Sequence, residues 1–196
     1  MVGFLFSLRS SLRFPPLRPN RHLGVAAHIN HYLYSHNKKN MELHPSLESL
    51  LDYQHETIAQ VIKNATPEDL TKEVSPGKWS VRDNIVHLYI YLREFEKRLE
   101  LICTSAKEPF FKRYVADEDP QFKASRNMDV QKALAEYVKD RQMLYNTIME
   151  LPDDCLDKYG RHPKFGRLST QQWIEFFLLH EGHHIFTIFQ LVNRAD

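Results

Sequence analysis

Four long stretches of this chain repeat apolar residues at intervals of three and four, and no stretch of useful length alternates them at two. That pattern builds amphipathic helices, each of which must bury one face against the others. The first stretch runs from about Ser46 to Asn64, carrying Leu47, Leu50, Leu51, Ile58, Val61 and Ile62. The second covers about Ser80 to Cys103, with Val81, Leu88, Leu92, Phe95, Leu99 and Ile102 on one stripe. The third begins near Asn127 or Asp129 and ends at Glu150, with Val130, Leu134, Val138, Leu144 and Ile148 inward. The fourth follows Ser169 and continues to about Val192. The fold expected is all-α: a four-helix bundle with one or two long crossover connections.

Local chemistry marks several boundaries. Ser80 with Asp83, and Ser169 with Gln172, have the spacing of reciprocal N-terminal caps, and Pro152 stops the third helix. Residues 104–127 mix Pro109-Phe110-Phe111 with Asp119-Pro120-Gln121-Phe122, which reads as an ordered crossover covering one end of the bundle. Asp153–Leu168 reads as a loop. The fourth helix is apolar on nearly all sides, with Leu178, Ile185, Phe186 and Phe189 on its outer flank, so a homodimer through this helix is expected.

Residues 1–40 differ from the rest. They contain six basic residues, Arg9, Arg13, Arg18, Arg21, Lys38 and Lys39, and no acidic one, and Pro15, Pro16 and Pro19 break them up. Three explanations stand: a start assigned upstream of a true initiator at Met41, an organelle-targeting peptide, or a disordered tail. The folded domain is therefore placed at 41–196. His22, His28, His31 and His36 lie in the leading segment and are set aside. The remainder carries 20 basic against 25 acidic side chains, which gives no argument for nucleic acid. No apolar run approaches the roughly 20 residues of a membrane span. Cys103 and Cys155 lack CxxC spacing and make no disulfide framework, so free thiols in a reducing, cytoplasmic compartment are expected.

Histidines carry the chemistry. His180 and His184 stand one helical turn apart, about 40° from each other in projection, so two imidazoles can chelate one ion. Trp173, Phe177, Ile188 and Leu191 fall on the same side, which turns the pair towards the bundle interior. Buried without partners, each imidazole nitrogen costs roughly 1–3 kcal/mol, and metal ligation relieves that cost. An isolated HxxxH pair is also compatible with simple hydrogen bonding in a polar pocket. His87, on the edge of the second helix's buried stripe beside Tyr91, changes the balance because it can reach the fourth helix. Three neutral imidazoles suit tetrahedral zinc with one open position, and nickel, iron or manganese are compatible too, since imidazole is not selective.

Residues 180–184 read His-Glu-Gly-His-His and so also match HExxH, the pattern of zinc peptidases. Only twelve residues follow His184, with no further His or Glu, and no strand is expected that would align a peptide; Glu181 also lies off the His180/His184 face. The peptidase reading is therefore set third. Glu94, His183 and His162 are candidates to support the site from outside the ligand set. His183 is expected on the flank, and His162 at the site mouth or, preferably, capping a turn. Asp83 is expected on a solvated helix face, and His55 as a structural residue at the border of the first helix.

Gly77-Lys78-Trp79-Ser80-Val81-Arg82-Asp83-Asn84-Ile85-Val86-His87-Leu88 resembles the second-helix signature of the DinB-like (YfiT-like) superfamily, and His180-Glu181-Gly182-His183-His184 resembles its fourth-helix signature. His162-Pro163-Lys164-Phe165-Gly166-Arg167-Leu168-Ser169 is similar to a loop in one branch of that family. The resemblance spans about residues 43–193. It implies a bundle with a nickel- or zinc-type centre on His87, His180 and His184, commonly dimeric. Relatives include thiol S-transferases that use bacillithiol, mycothiol or glutathione, and a maleylpyruvate isomerase. The expectation is thus a metal-dependent enzyme that activates a low-molecular-weight thiol, or water, against a small electrophilic substrate. The competing reading is a metal-binding or structural bundle without catalysis, and an open coordination position discriminates the two.

Overall fold

The structure, a computed structural model, describes residues 43–194. The three readings of residues 1–40 lie outside this range.

Helix α1 (Pro45–Tyr53) starts on His44, whose Nδ1 accepts the Ser46 amide, and has proline in its first turn, where no amide is needed. The expected single first helix is interrupted: Gln54–Glu56 form a 3₁₀ turn before α2 (Thr57–Val61). A short α3 (Pro67–Thr71) carries a reciprocal cap between Thr66 and Asp69. Helix α4 (Val81–Thr104) starts on the Ser80/Asp83 capping box expected from the sequence. Every residue from Asp83 to Leu92 in α4 is buried, so the first half of this helix runs through the centre of the molecule. It packs chiefly on α6 (Val130–Met149) and on α8 (Thr170–Val192), which starts on the Ser169/Gln172 box. Together with α1 and α2 these make the four-helix bundle.

The crossover after α4 is ordered. It contains a 3₁₀ turn at Ala116–Glu118 and α5 (Pro120–Ser125), and it buries Phe111 and Phe122. Residues 153–168 are not a plain loop. They hold α7 (Asp153–Leu156) and a two-stranded antiparallel hairpin, β1 (Tyr159–His162) with β2 (Gly166–Ser169). Gly166 takes a left-handed φ of 76° that its turn requires. The crossover docks on β1: the Phe111 amide donates to the Arg161 carbonyl, and the Arg161 amide to the Pro109 carbonyl. Gly160 permits this approach, because a Cβ there would sit 2.8 Å from the Phe111 ring.

Cys103 and Cys155 are not free thiols. They form a disulfide that ties the end of α4 to α7 across 52 residues. The inference from free thiols to a reducing compartment therefore loses its basis. Among the described residues no helix is long and apolar enough to cross a membrane. The outer flank of α8 is also smaller than expected: Leu178 and Ile185 are buried within the chain, and Leu179, Phe186 and Phe189 are the exposed apolar residues.

Candidate metal centre

His87 stands mid-way along the buried half of α4, and His180 and His184 project from α8 towards it. One ring nitrogen from each of the three lies within 4.8 Å of the others, and the Nε2 atoms of His87 and His180 approach to 3.3 Å. His184 is oriented from behind. Its Nδ1 is 2.8 Å from the Asn84 side-chain oxygen, while the Asn84 amide donates to the Ser80 carbonyl. Since an amide oxygen only accepts, the His184 proton sits on Nδ1 and its Nε2 lone pair is left for the cluster.

The walls are aromatic. Trp79 packs on His87 and His184, with ring centres 4.9 and 6.0 Å away, and Tyr91 packs on His180 at 4.4 Å. The crossover contributes Tyr114 and Phe122 against His87. Burial in this apolar shell, reinforced by the neighbouring histidines, pushes the pKa of His87 down to about 3 and that of His184 to about 2. Burial, with His183 and Arg98 nearby, pushes His180 to about 4. All three imidazoles are neutral at neutral pH and carry lone pairs, as metal ligation requires. The Nδ1 atoms of His87 and His180 are buried and have no hydrogen-bond partner among the described residues. The donor set fits one divalent metal ion, and His180 is its partly exposed member.

Of the supporting candidates, Glu94 does not reach the centre; its carboxylate pairs with Arg98 one turn along α4, at 2.9 Å. His183 is exposed, with its ring 5.1 Å from that of His184. His162 caps the hairpin turn, its Nδ1 accepting the Lys164 and Phe165 amides at 3.1 Å each. It also packs on Phe176, which stacks on His180. Asp83 is not solvated: it is buried, holds the Ser80 cap and binds Arg126 at 2.9 Å. His55 is buried on the 3₁₀ turn. Asn84 was not singled out in the sequence, although its position three residues before His87 places it on the adjoining face of the same helix. Glu181, the candidate base of an HExxH site, points away from the histidines. Arg141 Nε donates to it at 2.9 Å and so does the Tyr137 hydroxyl, so it is not free to act as a base.

A family model described as the DinB superfamily matches residues 50–188. Both histidine motifs fall within that range, and the chain belongs to the DinB superfamily. Among solved structures it is similar to YfiT from Bacillus subtilis, described as a probable metal-dependent hydrolase with an unusual four-helix bundle topology. The two share 20% identity with a TM-score of 0.67, over 81% of this chain and 90% of that one. It is also similar to TT2238, a four-helix bundle protein, at 16% identity and a TM-score of 0.51, over 73% of this chain and 95% of the other. No curated protein matches.

Proposed function

We propose that this chain is a metal-dependent enzyme in which His87, His180 and His184 hold one divalent ion, zinc or nickel, and that it acts on a small electrophilic substrate. The observation that carries this is the convergence of three neutral imidazoles whose third member is held in the ligating tautomer by Asn84. The hydrolase description of YfiT supports the reaction class. When bound, the ion would lower the pKa of a water or a low-molecular-weight thiol and so supply a nucleophile near neutral pH.

The chain's own residues supply position and exclusion. Asn84 keeps the His184 proton on Nδ1. Trp79, Tyr91, Tyr114 and Phe122 keep bulk water from the ligand side, which strengthens electrostatic interactions there. Burial raises the Tyr91 pKa to about 12, so its phenol stays protonated as a hydrogen-bond donor beside His180. Of the three histidines only His180 is partly exposed, so substrate would approach from its side. A panel of activated esters and amides, and of electrophiles offered with glutathione-type thiols, tests the assignment on metal-loaded protein. Turnover lost in His184→Ala is expected, and turnover equal in both would count against the reading. The expected homodimer now rests on Leu179, Phe186 and Phe189, and a monomeric mass by light scattering would remove it.

A further inference from the structure

The HExxH match leaves one residue without a role. Glu181 lies between two of the three histidines in sequence, is fully buried, and is engaged by Arg141 and Tyr137 from α6, both fully buried themselves. An apolar pair in the same place is often as stable as a buried ion pair or more so, so stability alone gives no reason for one here. What charge-assisted bonds add is direction.

A second grip lies nearby on α8. The Gln54 side-chain amide donates to the Leu178 carbonyl at 3.0 Å, and the same amide lies 3.5 Å from where a Cβ on Gly182 would stand. Gln54 opens the 3₁₀ turn that interrupts the first helix. That break therefore also carries Gln54 against the back of α8.

We propose that Glu181, Arg141, Tyr137 and Gln54 are positioning residues for the metal centre: they fix the rotation and height of α8, and with them the places of His180 and His184 opposite His87. The inference rests on the three histidines being metal ligands. Glu181 sits about 100° around the helix from His180 and about 60° from His184, so pinning it sets the direction of both. A rotation of about 10° moves an atom at the helix surface by about 1 Å. Metal–ligand distances tolerate only about 0.2 Å.

The test uses full-length protein, zinc affinity measured against a chromophoric chelator, and the visible absorption of the cobalt(II) form. Arg141→Met with Glu181→Leu removes both charges together and is expected to keep the helical signal and melting cooperativity. Zinc affinity should fall by about tenfold or more, with a shifted cobalt spectrum. A folded double variant with wild-type affinity and spectrum would overturn the proposal. Should it not fold, Gln54→Ala replaces only a neutral, part-buried side chain; a several-fold loss with a shifted spectrum supports the proposal, and no change in either overturns it. His184→Ala separates the two levels. If it abolishes binding while the positioning variants match wild type, only this inference falls; if it binds cobalt as wild type does, the ligand assignment falls with it.

Discussion

His180 and His184 on α8 face Trp79, Tyr91 and His87, while Glu181, between them in sequence, faces Arg141 and Tyr137. Both faces bury polar atoms, but they meet the cost differently. Behind the helix a carboxyl group is matched by a guanidinium and a phenol. In front, burial keeps the imidazoles neutral, each with one N–H and one lone pair, and brings a ring nitrogen of each within 4.8 Å of the others. The paired side matches its charges from within the chain, although Arg141 Nη1 keeps no hydrogen-bond partner among the described residues. The histidine side gathers three neutral donors with no cationic group of the chain among them, which is why we propose it as the functional one.

Among single substitutions, the largest expected effect comes from breaking the paired side. Arg141→Ala leaves the buried Glu181 with the Tyr137 hydroxyl alone and no counter-charge, and should cost about 3–5 kcal/mol in urea denaturation. A loss below about 1 kcal/mol would mean that water reaches the carboxylate and the two faces are not so different. Next is the disulfide, which constrains the chain away from both faces. Closing 52 residues should contribute about 4 kcal/mol, seen as a lower denaturation midpoint after reduction. An unchanged midpoint would indicate thiols.

On the histidine side, Asn84→Ala should weaken metal binding by about 10–100-fold while leaving the helical signal intact, because His184 loses its tautomer control. Affinity equal to wild type would show that His184 needs no such partner. A further effect is with pH. The metal-free protein holds His87, His180 and His184 at about 3, 4 and 2, below the unfolded value of about 6.5. Below pH 6.5 the unfolded chain therefore binds more protons, and stability should fall as pH drops from about 6.5 towards 4. Replacing His87 and His184 with Gln should flatten that slope, and a slope unaltered by the replacements would place its origin elsewhere.

The three-and-four spacing makes α4, α6 and α8 legible, the first and last with their caps, and the family resemblance together with that spacing brings His87 to the right helix. Interruption of the first helix was not legible, since Gln54 and His55 have ordinary helical propensities and the break answers to α8. The hairpin was missed because its strands are four residues long and Gly160, Pro163 and Gly166 read as loop. The cysteine pair was misjudged because 52 residues separate partners that only the packing of α7 brings together. Asn84 and Arg141 escaped because their roles depend on partners 100 and 40 residues away. Glu94 was placed near His87 by its spacing, but Arg98 claimed it.

The central claim is that His87, His180 and His184 hold one metal ion. Elemental analysis of protein purified without a tag, beside a His184→Ala variant of equal helicity, tests it directly. About one divalent ion per chain in the first and background in the second is the predicted result, and equal metal content in the two would contradict it.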